Sequence, residues 1–199
     1  MPCPAWLAWL VELDSPFFKT NRAAVIIERS DVRPGMTVLD VGCGPGRLTI
    51  PLARRVGEHG EVVAMDIQAG MLARARDKAR AAALANIRFV QGAAGETDLG
   101  RDRFDRAFLV TVLGEIPDRD MALRKIFAAL RPGGTLSVTE IMLDPHYQRY
   151  RSVARRAGTA GFCERARHGR GIAFTLILEK PRDGAAGVTP TGYARPPRR

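Results

Sequence analysis

The run Val38-Leu39-Asp40-Val41-Gly42-Cys43-Gly44-Pro45-Gly46 constrains this chain more than any other stretch. Its apolar opening suits a buried strand. Three glycines at alternate positions then break regular structure, and Arg47 to Ala53 can begin a helix. Strand, glycine loop and helix in that order let main chain approach a nucleotide-like ligand closely, because glycine lacks Cβ and tolerates positive φ. Such a loop is expected to aim N–H groups from a helix N-terminus at polar or anionic atoms. The same residues would also serve a tight strand–helix turn that holds nothing.

The spacing separates ligand classes. A dinucleotide fingerprint G-x-G-x-x-G begun at Gly42 needs glycine or alanine at position 47, where Arg47 stands, and this argues against a nicotinamide oxidoreductase. A P-loop needs Gly-Lys-Ser/Thr, which the loop lacks. The order that remains, strand, Asp40, then G-x-G-x-G, resembles motif I of the class I S-adenosylmethionine-dependent methyltransferases. Leu130-Arg131-Pro132-Gly133-Gly134-Thr135-Leu136 resembles a second hallmark of that family at the expected distance. Together they resemble the ubiquinone/menaquinone-biosynthesis-type (methyltransferase domain 11-like) branch, which includes C-, N- and O-methylating enzymes of small molecules.

The resemblance covers residues 20 to 180. It implies an α/β fold: a Rossmann-like, doubly wound, mostly parallel seven-stranded sheet with an antiparallel C-terminal hairpin and helices on both faces. It also implies S-adenosyl-L-methionine as cofactor and a methyltransferase (EC 2.1.1.-) that acts on a small-molecule acceptor by in-line transfer. Amino-methylating DNA enzymes usually carry Asn/Asp-Pro-Pro-aromatic after strand four, where Thr111-Val112-Leu113-Gly114 stands here. The paired cysteines of a cytosine C5 enzyme are absent too. An RNA or protein methyltransferase that uses a basic surface is one alternative, and a non-catalytic S-adenosylmethionine-binding protein is another.

Composition bounds the rest. A chain of 199 residues suits one domain with a full three-layer core. No apolar run is long enough to span a bilayer. The N-terminus is apolar but lacks a basic start, and Glu12 and Asp14 follow, so it does not read as a signal peptide and the expected location is cytoplasmic. Three cysteines without a C-x-x-C pattern argue against a disulfide framework and a zinc site. The net charge of +10 is the main support for a nucleic-acid partner. Much of it is arginine in an Ala- and Gly-rich chain, and several arginines crowd the C-terminal end.

Three segments follow. The spacing predicts an amphipathic helix over residues 1–19, with Trp6, Trp9, Leu10, Leu13 and Phe17 on one face. That face either packs on the domain or forms a lid over the site. The resemblance implies a methyltransferase domain over residues 20–180, and the composition of 181–199 leads one to expect a disordered basic tail. Within the domain, strands are expected at Val38–Val41, Glu61–Asp66, Ile87–Gln91, Phe104–Val110 and Thr135–Glu140, then a pair at 162–167 and 172–179. Helices are expected at 21–29, 70–85 and 152–160, and over Leu123 to Leu130, the last ending in a turn at Arg131-Pro132-Gly133-Gly134. The charges Arg74, Arg76, Lys78 and Arg80 read as a solvated helix surface.

The candidate site residues follow from these positions. The resemblance places Asp40, Gly42, Cys43, Gly44 and Gly46 at the methionine part of the cofactor. Cys43 reads more simply as a small buried residue that fits the loop. Asp66 ends the second strand, where a carboxylate can accept from both ribose hydroxyls or simply cap the next helix. Ile67 follows it. Ala93 and Ala94 fall at the adenine, and the resemblance leads one to expect Asp where Ala93 stands, with Glu96 a stand-in acceptor. Thr111 to Glu115 should line the pocket near the transferable methyl. Glu115 could bind substrate, act as a base or cap a turn. His146 is either an ordinary loop histidine or the natural proton acceptor. Trp9, Phe17 and Tyr147 are candidate substrate contacts.

Overall fold

A computed structural model describes residues 22–169 and 171–182. The expected 1–19 helix, with Trp9 and Phe17, lies outside the described residues, as does the basic tail beyond residue 182. The elements are α1 (Ala23–Arg29), β1 (Thr37–Val41), α2 (Thr49–Val56), β2 (Glu61–Asp66), α3 (Ala69–Ala81), β3 (Ile87–Gln91), β4 (Phe104–Val110), a 3-10 turn (Leu113–Glu115), α4 (Arg119–Ala129), β5 (Leu130–Ile141), α5 (Tyr150–Thr159), β6 (Cys163–His168) and β7 (Ala173–Glu179).

The strands form one seven-stranded sheet in the order β3-β2-β1-β4-β5-β7-β6. From β3 to β5 neighbouring strands run parallel, while β7 is antiparallel to both β5 and β6. Parallel strands covered on both faces need near-continuous apolar sequence. This is why Val38, Leu39 and Val41 of β1 and Val62 to Met65 of β2 are all buried. On one face, Ile26 and Ile27 of α1 and Leu52 and Val56 of α2 pack with Val38, Val62 and Phe108. On the other, Leu123 and Ile126 of α4 and Val153 and Ala157 of α5 pack with Leu39, Leu109, Leu136 and Val138. Strand order reverses between β1 and β4, so the connections leaving their carboxyl ends diverge and leave a crevice.

Local chemistry explains most boundaries. Asp118 caps α4 by accepting the Met121 N–H at 2.8 Å. Met71, Leu72, Ala75 and Ala79 turn α3 onto the sheet, and Arg74, Arg76 and Arg80 are exposed, as a solvated face requires. One boundary differs from expectation. The turn expected at Arg131–Gly134 belongs to β5, which starts at Leu130 and carries a bulge opposite β4 between the Phe104 and Arg106 pairs. Main chain accounts for the difference. Gly133 N–H donates to Lys180 O at 2.8 Å and Lys180 N–H to Gly134 O at 2.9 Å, so the segment pairs with the chain leaving β7. The edge strand β6 also bulges, between Glu164 and Ala166.

Candidate functional site

The crevice at the β1/β4 reversal holds a cavity of about 540 Å³. Its walls come from the ends of β1, β2 and β4, the segment after β3, the 3-10 turn after β4, and the loop after β5.

Gly42 and Gly44 line the cavity, with φ of +67° and +53°. A Cβ on Gly42 would lie 2.6 Å from the Val112 methyls, whereas one on Gly44 would meet nothing within 4 Å. The first glycine therefore permits close packing and the second leaves open room. Gly46 serves another purpose: a Cβ there would sit 3.2 Å from Ala75 Cβ, so it lets α3 lie against the loop. Cys43 is buried with Ala64 and Leu72, and burial pushes its thiol pKa up. Neither Gly46 nor Cys43 lines the cavity.

The loop's N–H groups are not aimed at a ligand as the sequence suggested. Gly42 and Cys43 donate to Met65 O at 2.8 and 3.0 Å, Gly44 to Asp66 Oδ2 at 2.9 Å, and Gly46 to Cys43 O at 3.1 Å. A loop this enclosed has to satisfy its own donors. It contributes bare backbone and shape, while the polar acceptor comes from Asp66.

Asp66 lines the cavity and is nearly buried. Its Oδ2 accepts from Gly44 N–H, and its Oδ1 from Gln68 N–H at 2.9 Å. Two ionised oxygens offer about four acceptor sites, so capacity remains for a ligand's hydroxyls. The carboxylate thus holds the glycine loop and the start of α3 while facing the cavity. Asp40 stands behind the loop and does not line the cavity. Its Oδ2 accepts from Thr49 Oγ1 at 2.7 Å, and burial, only partly opposed by that bond, raises its pKa to about 6.

Ile67, Ala93 and Ala94 line the far end with Gln68 and Met71. Glu96 is exposed and does not line the cavity, because Glu96 N–H donates back to Ala93 O at 3.0 Å in a turn that carries the side chain outward. Apart from Gln68, this end is therefore apolar side chains and main chain.

The opposite end is built by two loops. Thr111 lines the cavity at φ +55°, an uncommon conformation for a non-glycine residue. Its N–H is held by Thr139 O at 2.8 Å and its Oγ1 donates to Val110 O at 2.7 Å. The bend leads into the 3-10 turn, where Arg119 donates to Leu113 O at 3.1 Å and Gly114 O at 2.6 Å. Gly114 packs so closely on the His146 carbonyl that no side chain fits there. The two loops are thereby joined.

His146 and Glu115, remote in sequence, meet in this wall. His146 Nδ1 is 3.8 Å from Glu115 Oε1 and 3.7 Å from Asp144 Oδ1. Asp144 Oδ1 also accepts the His146 N–H at 2.7 Å. Burial raises the Glu115 pKa, and the Asp144 charge raises it further against the opposing His146. Tyr147 does not reach the cavity. One residue past His146 its ring turns inward, edge-on to Phe174 with centroids 6.3 Å apart.

Two residues in this region escaped the sequence reading. Asp144 was visible only as the opening of a loop after β5. Glu140 ends β5 much as Asp66 ends β2, and that parallel was the available signal. Its Oε2 accepts Gln148 N–H at 3.0 Å, and Gln148 Nε2 donates to His146 O at 2.8 Å. Its Oε1 is buried with no hydrogen-bond partner among the described residues. Burial lifts its pKa to about 7, with the Gln148 N–H opposing and Asp144 adding to the rise. Among the described residues, no group of three or more His, Cys, Asp or Glu is arranged to hold a metal ion, and no helix is long and apolar enough to cross a membrane.

Comparison with known proteins agrees with this geometry. Residues 33–167 match a family model described as "Methyltransferase domain". The ubiquinone/menaquinone biosynthesis C-methyltransferase UbiE of Vibrio vulnificus is 43% identical over 115 residues, which cover 57% of this chain and 44% of that relative. The chain thus spans less than half the length of the curated relative it matches. A crystal structure of an S-adenosylmethionine-dependent methyltransferase from Aquifex aeolicus superposes with a TM-score of 0.81 at 20% identity, over 89% of this chain and 99% of that one. The [4+2]-cyclase SpnF also superposes, with a TM-score of 0.73 at 19% identity over 80% of each chain. At such identities the likeness speaks to fold alone.

Proposed function

Because the chain belongs to the methyltransferase domain family, we propose that it is an S-adenosylmethionine-dependent enzyme that methylates a small-molecule acceptor. The observation that carries this reading is the joint placement of Gly44 and Asp66. Open space beside a glycine and a carboxylate with spare acceptor capacity face one cavity at the reversal of strand order. These residues suit the cofactor: bare loop for the amino-acid arm, Asp66 for the ribose hydroxyls, and Ile67, Met71, Ala93 and Ala94 for the adenine. Asp40 acts from behind, through Thr49, by holding the loop in shape.

When bound, the cofactor supplies a methyl group already activated for in-line displacement. The chain's remaining work is positioning and exclusion of water. Val110, Val112 and Ile116 give the acceptor end an apolar wall. Glu115, with its raised pKa, and His146 stand where a proton leaving the acceptor's nucleophile can be taken up. The C-methyltransferase activity in UbiE's name supports a C-methylated acceptor as the first to assay.

Titration calorimetry with S-adenosylhomocysteine tests the reading. The wild-type protein binds it, and Asp66→Ala loses about ten- to a hundredfold in affinity, as expected for one charged hydrogen-bonding partner. Because Asp66 also holds Gly44 and Gln68, Asp66→Asn is the control, since it keeps one acceptor oxygen. Unchanged affinity in both variants would leave Asp66 a loop brace and remove the main support.

A further inference from the structure

The cavity's charge is opposite to that of the chain. The sequence carries 31 Lys and Arg against 21 Asp and Glu. Yet the lining holds three carboxylates, Asp66, Glu115 and Asp144, and neither a lysine nor an arginine among the described residues. Asp66 is at the end assigned to the ribose. The other two lie at the end where β4 and β5 open, against the same imidazole.

Among the described residues, three carboxylates and one imidazole crowd that end. Asp144 is braced by the His146 N–H. The carboxylate of Glu115 has no hydrogen bond to another described residue, and its approach to His146 is too long for one. Glu140 stands behind the wall, close enough to act on Asp144, with a buried oxygen lacking a partner among the described residues. Among the described residues, the Arg119 cation turns its guanidinium to the Leu113 and Gly114 carbonyls rather than into the cavity. A half-buried carboxylate without a donor among the described residues, in an apolar cavity, calls for an N–H or O–H from whatever fills the space.

Resting on the methyl-donor reading above, we infer that this site selects its acceptor by charge. It takes a neutral or protonated molecule that presents an N–H or O–H donor to Glu115, and it rejects one with a carboxylate or phosphate at that place. Like-charge juxtaposition in a partly desolvated cavity is the rejecting element, and the Glu115 carboxylate, without a hydrogen bond to a described residue, the attracting one.

Two ligands that differ at the reacting position test this. The first is S-adenosylhomocysteine. The second is sinefungin, the analogue that carries an amine-bearing carbon in place of sulfur and so puts a positive charge where the methyl would be. Calorimetry at neutral pH should find sinefungin the tighter of the two by about tenfold, and the ratio should shrink as salt screens the field. Glu115→Gln and Asp144→Asn, each close in shape to the original, should together bring the ratio to about one; the second of these keeps an amide oxygen to accept the His146 N–H. In a parallel arm, a neutral phenol and its carboxylated analogue compete as acceptors, and the double variant should narrow the gap between them. Equal binding of the two ligands by the wild-type protein, or a ratio untouched by the double variant, overturns the charge selection while the cofactor site stands. Failure of S-adenosylhomocysteine to bind at all overturns both readings.

Discussion

The two ends of the cavity are made differently. At the β1/β2 end, main chain does most of the work: three glycines bend the loop, its N–H groups close on Met65, Cys43 and Asp66, and one carboxylate links loop to helix. At the β4/β5 end, side chains from separate loops converge, and Glu115, Asp144 and His146 meet within 4 Å although neither loop orders the other by sequence proximity. The first end is a fixed shape that suits one ligand part. The second can change its chemistry residue by residue without disturbing the sheet. A fold shared with both a methyltransferase and a cyclase is consistent with that division of labour.

Three substitutions sharpen the contrast, each striking one kind of construction. Gly114→Ala should do most harm. Its Cβ would press into the His146 carbonyl, and since that neighbour is backbone, the loops have to part. Overpacking typically costs about 1–3 kcal/mol, and a clash with backbone puts this case at the upper end or beyond. Urea unfolding should report the loss, and methyl transfer should fall much further than S-adenosylhomocysteine affinity. Equal losses in both would mean that the two ends are not separable.

Glu140→Gln comes next, and its effect depends on pH. A folded-state pKa raised from 4.5 to about 7 means that the native state binds the proton more tightly than the unfolded chain. Stability is therefore greatest below the unfolded pKa, declines as pH rises from about 4.5 to about 7, and then levels at its lowest. The full difference is about 3 kcal/mol. The glutamine variant, which keeps an acceptor for Gln148 N–H, should lack this slope and should gain on the wild type as pH climbs through that same interval. Parallel pH–stability curves for the two proteins would show that Glu140 does not titrate across this range.

Gly42→Ala is the mildest of the three. The left-handed φ and the overlap with the movable Val112 side chain together cost about 1–2 kcal/mol. The loss should show as roughly tenfold weaker S-adenosylhomocysteine binding. Adding Val112→Ala should recover part of it, and no recovery would assign the whole cost to the backbone.

The contrast also explains what the sequence could reveal. The order of strands and helices was legible because parallel strands buried on both faces must be continuously apolar, and because Gly42 and Gly44 mark positive φ. Asp66 was legible as an acid at a strand end. Glu140 met the same description and was passed over, because the acid alone did not say that its oxygen would be buried without a partner. The meeting of Glu115 with Asp144 and His146 was not legible as geometry, since it depends on β4 and β5 lying side by side and on a contact between two loops. Tyr147 and Glu96 were misplaced for a simpler reason: a turn of one or two residues reverses the direction of a side chain, and spacing does not encode turn direction. The β5 start was misread because Arg131–Gly134 has turn chemistry, while the pairing partner near Lys180 lies far along the chain.

The seating of Gly114 on the His146 carbonyl has a consequence for how such a protein can diversify. Neither loop is free to drift alone, since a bulkier residue at the first must be answered by a displaced backbone at the second. Acceptor preferences that need either loop enlarged should therefore arise through paired changes, one on each side of the contact, whereas side-chain exchanges that keep the contact can come singly.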